Sequence, residues 1–512
     1  MMTRMRILLT LLLVYIAYPA VAQQENDLGT EAQRAEGKEV YDIKCAHCHG
    51  YEGDASAVAT PYLRPTPRDF TSGNYKFRST ASGELPTTED IKRSIRLGMP
   101  YTSMPAWEGI LSEAEITNLA YYLKTFESAF DGPYGNPTVI EIPRAPSYSA
   151  DPDHLARGQE IFAANQCADC HGDNGRGNGE SAPELMDDWG DPIRAADMTK
   201  RWTFRAGATR EDIYRTFMTG LNGTPMPSYE QTIDAEDRWA LVDYVWSLSR
   251  DTPDYGTTVT VQGRLDELVL DEGLFEAASE TYFPIVGQII EPGRAFYPGV
   301  NGISVKAVYN DSEIAIQLQW HDMTAETEGM NNPSIELPMF DPAQPDTIMD
   351  GWSDAVAALL PSRTPEGLER PYFMFGDSRF PMSIWYTDLA TDSAAVLIGQ
   401  GSGRIADNGI DLERSANYED GVWTVQFKGP RNQGELTMPE ATFIPISFTV
   451  WDGFNGERGN KRGLSAWYHL YLEPMETQSA VLPMAKWFLI VLGAELLIVA
   501  LVNLRARRRK TV

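Results

Sequence analysis

Cysteine is scarce in this chain. Its 512 residues hold four, all spent in two short runs, Cys45-Ala46-His47-Cys48-His49 and Cys167-Ala168-Asp169-Cys170-His171. No thiol remains for a structural disulfide or for a four-thiolate zinc site. Positive charge is short as well, with 43 Lys and Arg against 72 Asp and Glu and a formal net charge of −29. Such a surface repels phosphate, so no nucleic-acid partner is expected. From Asp251 to Gln478 there is no catalytic triad, phosphate-binding glycine loop or zinc motif, and the chain is not expected to be an enzyme.

The two cysteine runs share the spacing C-x-x-C-H, which reads as a c-type haem attachment site. On a helical turn residues i, i+3 and i+4 share a face. Cys45 and Cys48, and likewise Cys167 and Cys170, can then bond covalently to porphyrin vinyl groups while His49 and His171 ligate iron. A later methionine completes an axial His/Met pair. His49 to Met104 and His171 to Met226 each span 55 residues. The same 122-residue offset carries Glu89-Asp90-Ile91 onto Glu211-Asp212-Ile213, Gly98 onto Gly220, Pro105 onto Pro227, Leu119 onto Leu241 and Tyr122 onto Tyr244. The chain is internally duplicated and is expected to hold two covalent haems c. Met99 also precedes a proline, but its counterpart is Leu221, which favours Met104. Amphipathic helices are expected after the methionine loops, Ala114 to Phe126 and Ala235 to Leu248. A zinc or redox CxxC site is the rival reading of either run alone.

This arrangement resembles class I cytochrome c domains over about 31–128 and 151–250. The resemblance implies the axial pairs His49 with Met104 and His171 with Met226. Pro67-Arg68-Asp69-Phe70 through Lys76-Phe77-Arg78-Ser79 is similar to the loop before the methionine segment in that family. Its echo in the second unit, Asp197-Met198-Thr199 and Thr203-Phe204-Arg205, is differently gapped. Arg78 and Arg205 either pair with haem propionates or sit as solvated surface arginines.

The two ends suggest export and tethering. Arg4 and Arg6 precede an apolar run, Ile7 to Ala17, and Ala20-Val21-Ala22 offers a small-x-small cleavage site, so residues 1–22 read as a secretory signal peptide. Residues 484–504 read as a transmembrane helix. Its apolar run from Trp487 to Leu504, interrupted by Glu495, spans roughly 27 Å as a helix. The basic tail, 505–512, places the C-terminus in the cytoplasm by the positive-inside rule. The expected location is the periplasmic side of a bacterial cytoplasmic membrane, single-pass, with membrane lipid around the C-terminal helix. The acidity of the exported part either steers a basic soluble cytochrome or simply serves solubility.

Residues 129–150 form a Pro-, Gly- and Ser-rich linker, and 251–478 change to a period of two. Ile303, Val305, Ala307 and Tyr309 alternate up to an Asn310-Asp311-Ser312 turn, and Ile314, Ile316, Leu318 and Trp320 alternate after it, which is a hairpin. Val422 to Phe427, Phe443 to Trp451 and Trp467 to Leu472 read as further strands. The expected fold class is therefore multidomain: two all-α cytochrome c domains, one mainly-β sandwich domain and one C-terminal transmembrane helix.

Four segments carry a second resemblance: Gln319-Trp320-His321-Asp322; Asp350-Gly351-Trp352-Ser353-Asp354-Ala355; Arg370 to Asp377 with Ile384-Trp385-Tyr386; and Val450 to Arg458 running to Ser465-Ala466-Trp467-Tyr468. Over roughly 260–475 they look like the haem b-binding γ subunit of ethylbenzene dehydrogenase, whose relatives serve dimethylsulfide dehydrogenase, chlorate and selenate reductases and nitrite oxidoreductase. The resemblance implies one non-covalent haem b held by a methionine and a lysine. Phe375 and Arg462 stand at those two places, with Met374 and Lys461 one residue earlier, so Met374 and Lys461 are the expected ligands. Met382, Met323, His321 and His469 are the substitutes. It also implies a partner molybdenum subunit with an iron–sulfur subunit, and a soluble cytochrome c or terminal oxidase beyond the haems c. Two other readings stay open. One makes the β domain a haem-free binding or sensing module, with the dihaem part serving another membrane oxidase or dehydrogenase; the other makes the chain a haem-copper oxidase subunit, whose anchor would usually precede the haems.

Overall fold

The computed structural model describes residues 26–63, 65–250, 253, 255–295, 298–337, 351–410, 412–475 and 481–509. The expected signal peptide lies outside them. The chain forms two compact bodies. One holds the chain up to Asn165 together with Glu184–Ile193 and Arg201–Ser247; the other holds Gln166–Pro183, Arg194–Lys200 and the chain from Leu248 onward.

The first body is helical. It contains α1 (Glu31–Lys44), the single turn α2 (Ala46–His49), α3 (Thr88–Leu97), α4 (Glu113–Leu123) and α5 (Pro152–Ala164). The single turn α6 (Ala168–His171) falls in the second body, and α7 (Arg210–Thr219) and α8 (Arg238–Leu248) return to the first. Capping boxes start four of these helices: Thr30 with Gln33, Thr87 with Asp90, Ser112 with Glu115, and Thr209 with Asp212. Each satisfies backbone N–H groups that a helix start leaves open. Two of the boxes, at Thr87 and Thr209, are copies at the duplication offset.

The helix expected from Ala114 appears as α4 and runs on in a 3₁₀ turn, Lys124–Phe126. That expected from Ala235 starts at Arg238, after a turn closed by Asp237 N–H donating to the Asp234 carbonyl. In both units the first and last helices cross with backbones nearly touching. A Cβ on Gly37 would lie 2.1 Å from the Asn118 carbonyl oxygen, and one on Gly158 would lie 2.2 Å from that of Ala240. Glycine is the residue that permits this approach. Tyr41, Ile91, Ile95, Leu119, Leu123 and Phe130 form the first unit's core.

The second body is mainly strands: β1 (Thr258–Gly263), β2 (Thr281–Pro284), β3 (Val286–Gly287), β4 (Gly302–Tyr309), β5 (Glu313–His321), β6 (Ala355–Pro361), β7 (Met382–Asp388), β8 (Ala395–Gly399), β9 (Ile405–Asp407), β10 (Glu413–Glu419), β11 (Val422–Pro430), β12 (Phe443–Trp451), β13 (Gly463–Leu464) and β14 (Tyr468–Leu472). The main path runs β10-β11-β5-β4-β1-β14-β12-β6-β7-β8-β9. The expected hairpin is β4 and β5, in register Tyr309 to Ile314. The sheet is mixed, because β1 pairs in parallel with both β4 and β14.

Strand β12 is the corner: its first half pairs β14 and its second half pairs β6. The arms on either side close on one core, where Ile316, Phe427 and Val305 from one arm join Val356 and Trp385 from the other. A sandwich made from one bent sheet results. The chain then forms α9 (Val481–Arg509), within which Met484–Arg505 is long and apolar enough to cross a membrane.

Candidate haem centres

Helix α2 presents Cys45, Cys48 and His49 from one turn. Its closure, His49 N–H to the Cys45 carbonyl at 2.9 Å, recurs in α6 as His171 N–H to the Cys167 carbonyl at 2.9 Å. The His49 Nδ1 lies 3.0 Å from the Arg68 carbonyl oxygen, and the His171 Nδ1 lies 3.1 Å from that of Ala196. A carbonyl can only accept, so Nδ1 carries the proton and Nε2 keeps its lone pair for iron. Burial lowers the pKa of both imidazoles, which favours the neutral, ligating form. Phe70 stacks on the His49 ring with 4.6 Å between centroids.

Burial pushes the Cys45 thiol up to about 12 and raises Cys48 and Cys170 as well, so these cysteines are held as thiols.

The methionine loops match bond for bond. Met99 N–H donates to the Met104 carbonyl (3.0 Å), and Leu221 N–H to the Met226 carbonyl (3.0 Å). Thr102 Oγ1 donates to the Met99 carbonyl and accepts from Met104 N–H; Thr224 Oγ1 does the same with Leu221 and Met226. Met99 thus takes the place of Leu221, through its backbone, as the duplication predicts. The threonines were not singled out from the sequence, although the offset of 122 relates them. Gly98 and Gly220 enter the loops at φ +59° and +66°; a Cβ there would fall 2.4 Å from the Pro105 carbonyl carbon and 2.7 Å from that of Pro227.

Arg78 corrects one expectation. It is neither solvated nor open to a propionate. Its Nη2 donates to the Thr219 carbonyl (2.7 Å), Nη1 to that of Gly220 (3.4 Å) and Nε to that of Ala81 (3.2 Å). Its charge closes the C-terminal end of α7, where carbonyls lack helical partners. Arg205 is exposed, which is compatible with either reading.

The β domain does not fit a haem b held by Met374 and Lys461. Met374 is buried, but its Sδ faces Arg462 Nη2 at 3.8 Å. The Arg462 guanidinium, 0% exposed, lies 3.7 Å from the centroid of Phe375. The two positions that the resemblance assigns to iron ligands are therefore stacked on each other, and the guanidinium donates to the Met374 sulfur. Lys461 closes a turn with Arg458 through paired backbone bonds of 2.8 Å, and its ammonium lies beside Gly456. Neighbouring residues in extended chain point to opposite faces; Arg462 takes the inner one. Burial depresses Arg462 to about 9.

The substitutes stand at scattered places in the domain. His321 Nε2 bonds the Arg176 carbonyl, and the Met323 carbonyl accepts from Tyr418 (3.0 Å). Met382 packs with Phe375 and Trp451, and His469 meets Phe443 edge-on.

What three of the four resembling segments bring together is a buried acid cluster. Carboxylate oxygens of Asp322, Asp354 and Asp452 lie within 4.8 Å of one another. Trp320 and Trp423 donate indole N–H groups to Asp322 (3.3 Å) and Asp354 (3.0 Å), and Arg194 pairs with Asp452 at 2.8 Å. Burial raises Asp322 well above the usual carboxyl range, Asp354 to about 9 and Glu457 to about 7. The sequence reading missed this cluster, because its acids are spread over 130 positions and only strand pairing unites them.

Two C-x-x-C-H turns with carbonyl-oriented histidines and twin methionine loops define two helical cytochrome c domains, in a chain that also carries a mixed-sheet domain and a membrane-length helix. The comparisons agree. The family described as "Cytochrome C oxidase, cbb3-type, subunit III" matches residues 32–123, and the family "Cytochrome c" matches 155–249. The chain is 30% identical over 215 residues to the cbb3-type cytochrome c oxidase subunit FixP of Azorhizobium caulinodans, covering 42% of this chain and 59% of the relative. It is 23% identical over 178 residues to a putative respiratory nitrate reductase heme subunit of Haloferax mediterranei, covering 34% and 57%. A chain of the Kuenenia stuttgartiensis reducing HAO-like protein complex is 40% identical over 44% of this chain and all of that one, with a TM-score of 0.41. This chain thus spans under two thirds of the length of the two curated relatives.

Proposed function

We propose that the chain is a membrane-tethered dihaem electron-transfer subunit of a respiratory oxidoreductase complex. The observation that carries this is the repeated pairing of a histidine whose Nδ1 is fixed by a loop carbonyl with a methionine loop of one hydrogen-bond pattern. Bound haem c supplies an iron that gains or loses one electron. The protein's own part is to orient the imidazole, present the thioether from a loop held by Thr102 or Thr224, and exclude water with the buried helical core.

The axial pairs are His49 with Met104 and His171 with Met226. The partner on one side is a molybdenum-type oxidoreductase with an iron–sulfur subunit, nitrite oxidoreductase being one such system. On the other it is a soluble cytochrome c or a terminal oxidase. The likeness to a nitrate reductase haem subunit and the γ-subunit segments of the β domain support the first partner. The domains lie on the periplasmic side, with α9 in the membrane and the C-terminus cytoplasmic. The Arg462–Phe375 stack favours a β domain that serves as a haem-free binding module within this assembly.

Purification of the full chain from its membrane, followed by molybdenum and iron analysis, tests the partner. Molybdenum co-purifying with the chain is expected. A chain that purifies with an oxidase and without molybdenum overturns that assignment.

A further inference from the structure

The histidine of the first unit stands 19 residues from the carbonyl that orients it; in the second unit the distance is 25. Within this longer segment stands a small hairpin. Ile193 N–H donates to the Leu185 carbonyl (3.0 Å), Asp187 N–H to the Asp191 carbonyl (2.9 Å) and Gly190 N–H to the Asp187 carbonyl (3.0 Å), leaving Trp189 at the tip.

The indole has two neighbours of note. The Arg68 guanidinium lies over it, 4.4 Å from the ring centroid, and Arg68 is the residue whose carbonyl orients His49. The ring also lies against Gly223, where a Cβ would come within 2.7 Å of it. Gly223 belongs to the loop that presents Met226. The hairpin is tied at both edges. Thr66 Oγ1 donates to Asp191 (2.9 Å), Asn74 Nδ2 to Asp188 (3.4 Å), and Asp188 N–H to the Gly223 carbonyl (3.2 Å). Gly83 N–H to Asn222 (3.1 Å) and Arg78 to the Thr219 carbonyl (2.7 Å) join the same two loops directly. So the histidine loop of one unit meets the methionine loop of the other, and the added hairpin is the wedge between them. Trp189 is 41% exposed; burial in its own unit's core does not account for a large aromatic side chain there.

We propose that Trp189 is a positioning residue: the Leu185–Ile193 hairpin locks the first haem's histidine loop to the second haem's methionine loop and so fixes the geometry of electron exchange between the two. This rests on the axial ligands given under Proposed function. One electron passes, one iron being oxidised as the other is reduced, with no bond made or broken.

The test uses the full chain with both haems loaded. Rapid one-electron reduction is followed by the rate of equilibration between the haems, and the methionine–iron charge-transfer absorption is recorded on the same samples. W189A is expected to keep that absorption at both haems while equilibration slows on the order of tenfold, as small misplacements of reacting groups do. W189F, which keeps a ring between Arg68 and Gly223, is expected to stay within about threefold of wild type. Thr66→Val, which removes only the bond to Asp191, should slow the exchange less than W189A; it supplies the answer if W189A fails to fold. Wild-type equilibration in W189A with both absorptions intact overturns the proposal, as does equal slowing in W189F and W189A. Absence of the methionine absorption in the wild-type protein overturns the ligand assignment, and this inference with it.

Discussion

At the scale of single residues, the ligand choice between Met99 and Met104 turns on a backbone bond. Met99 contributes the same backbone N–H and carbonyl to its loop as Leu221, which has no iron-binding atom, does in the second unit, so the duplication favours Met104. Met99→Leu should leave the methionine–iron absorption and both midpoint potentials unchanged. Met104→Ala should abolish the absorption at one haem and lower that haem's potential by on the order of 0.1 V, within the roughly 0.8 V that axial ligands span. A potentiometric titration of both variants checks this; loss of the absorption in Met99→Leu instead would reverse the assignment.

The acids of the β domain give a second prediction at this scale. A carboxyl raised by burial holds its proton more tightly folded than unfolded. The stability it contributes is present at low pH and is lost as pH rises from the ordinary carboxyl range through about 7 for Glu457 and about 9 for Asp354. Asp322 has one oxygen taken by the Trp320 indole and one buried without a partner. Asp322→Asn keeps the acceptor and supplies a permanent donor where the acid needs a proton. Thermal unfolding against pH should show a flatter profile for the variant and, near pH 8, a gain of about 1 kcal/mol, or about 2–4 °C. An unchanged profile would mean the cluster's protons do not govern stability.

At the scale of elements, the sequence was most legible where a local signal repeats. The β4–β5 hairpin, the two ligand turns, the methionine loops and the helices after them all follow from spacing, periodicity and the duplication. What escaped depends on partners far apart in the chain. The parallel pairing of β1 with β4 and β14 has no local signature, because alternation reports a face and not a neighbour. For the same reason the resembling segments suggested ligands at Met374 and Lys461, while the side chain that turns inward is Arg462. The Leu185–Ile193 hairpin registered only as an altered gap.

The crossing of α1 and α4 is open to direct test. With 2.1 Å between a Cβ at position 37 and the Asn118 carbonyl oxygen, Gly37→Ala must separate the helices and should cost about 1–3 kcal/mol. A denaturation midpoint equal to wild type would contradict so close a crossing.

At the scale of the whole molecule, two cytochrome c domains precede a sheet domain in which a buried cation, Arg462, stacks on the Phe375 ring, and a membrane-length helix follows. The proposed function puts the redox chemistry in the duplicated half and gives the β domain a haem-free role. The measurement that bears most directly on this division is the haem content of the purified full chain, by pyridine haemochrome spectra before and after acid–acetone extraction. Two covalently retained haems c per chain and no extractable haem are predicted. One extractable haem b per chain, lost on replacing Met374 or Lys461, would contradict it.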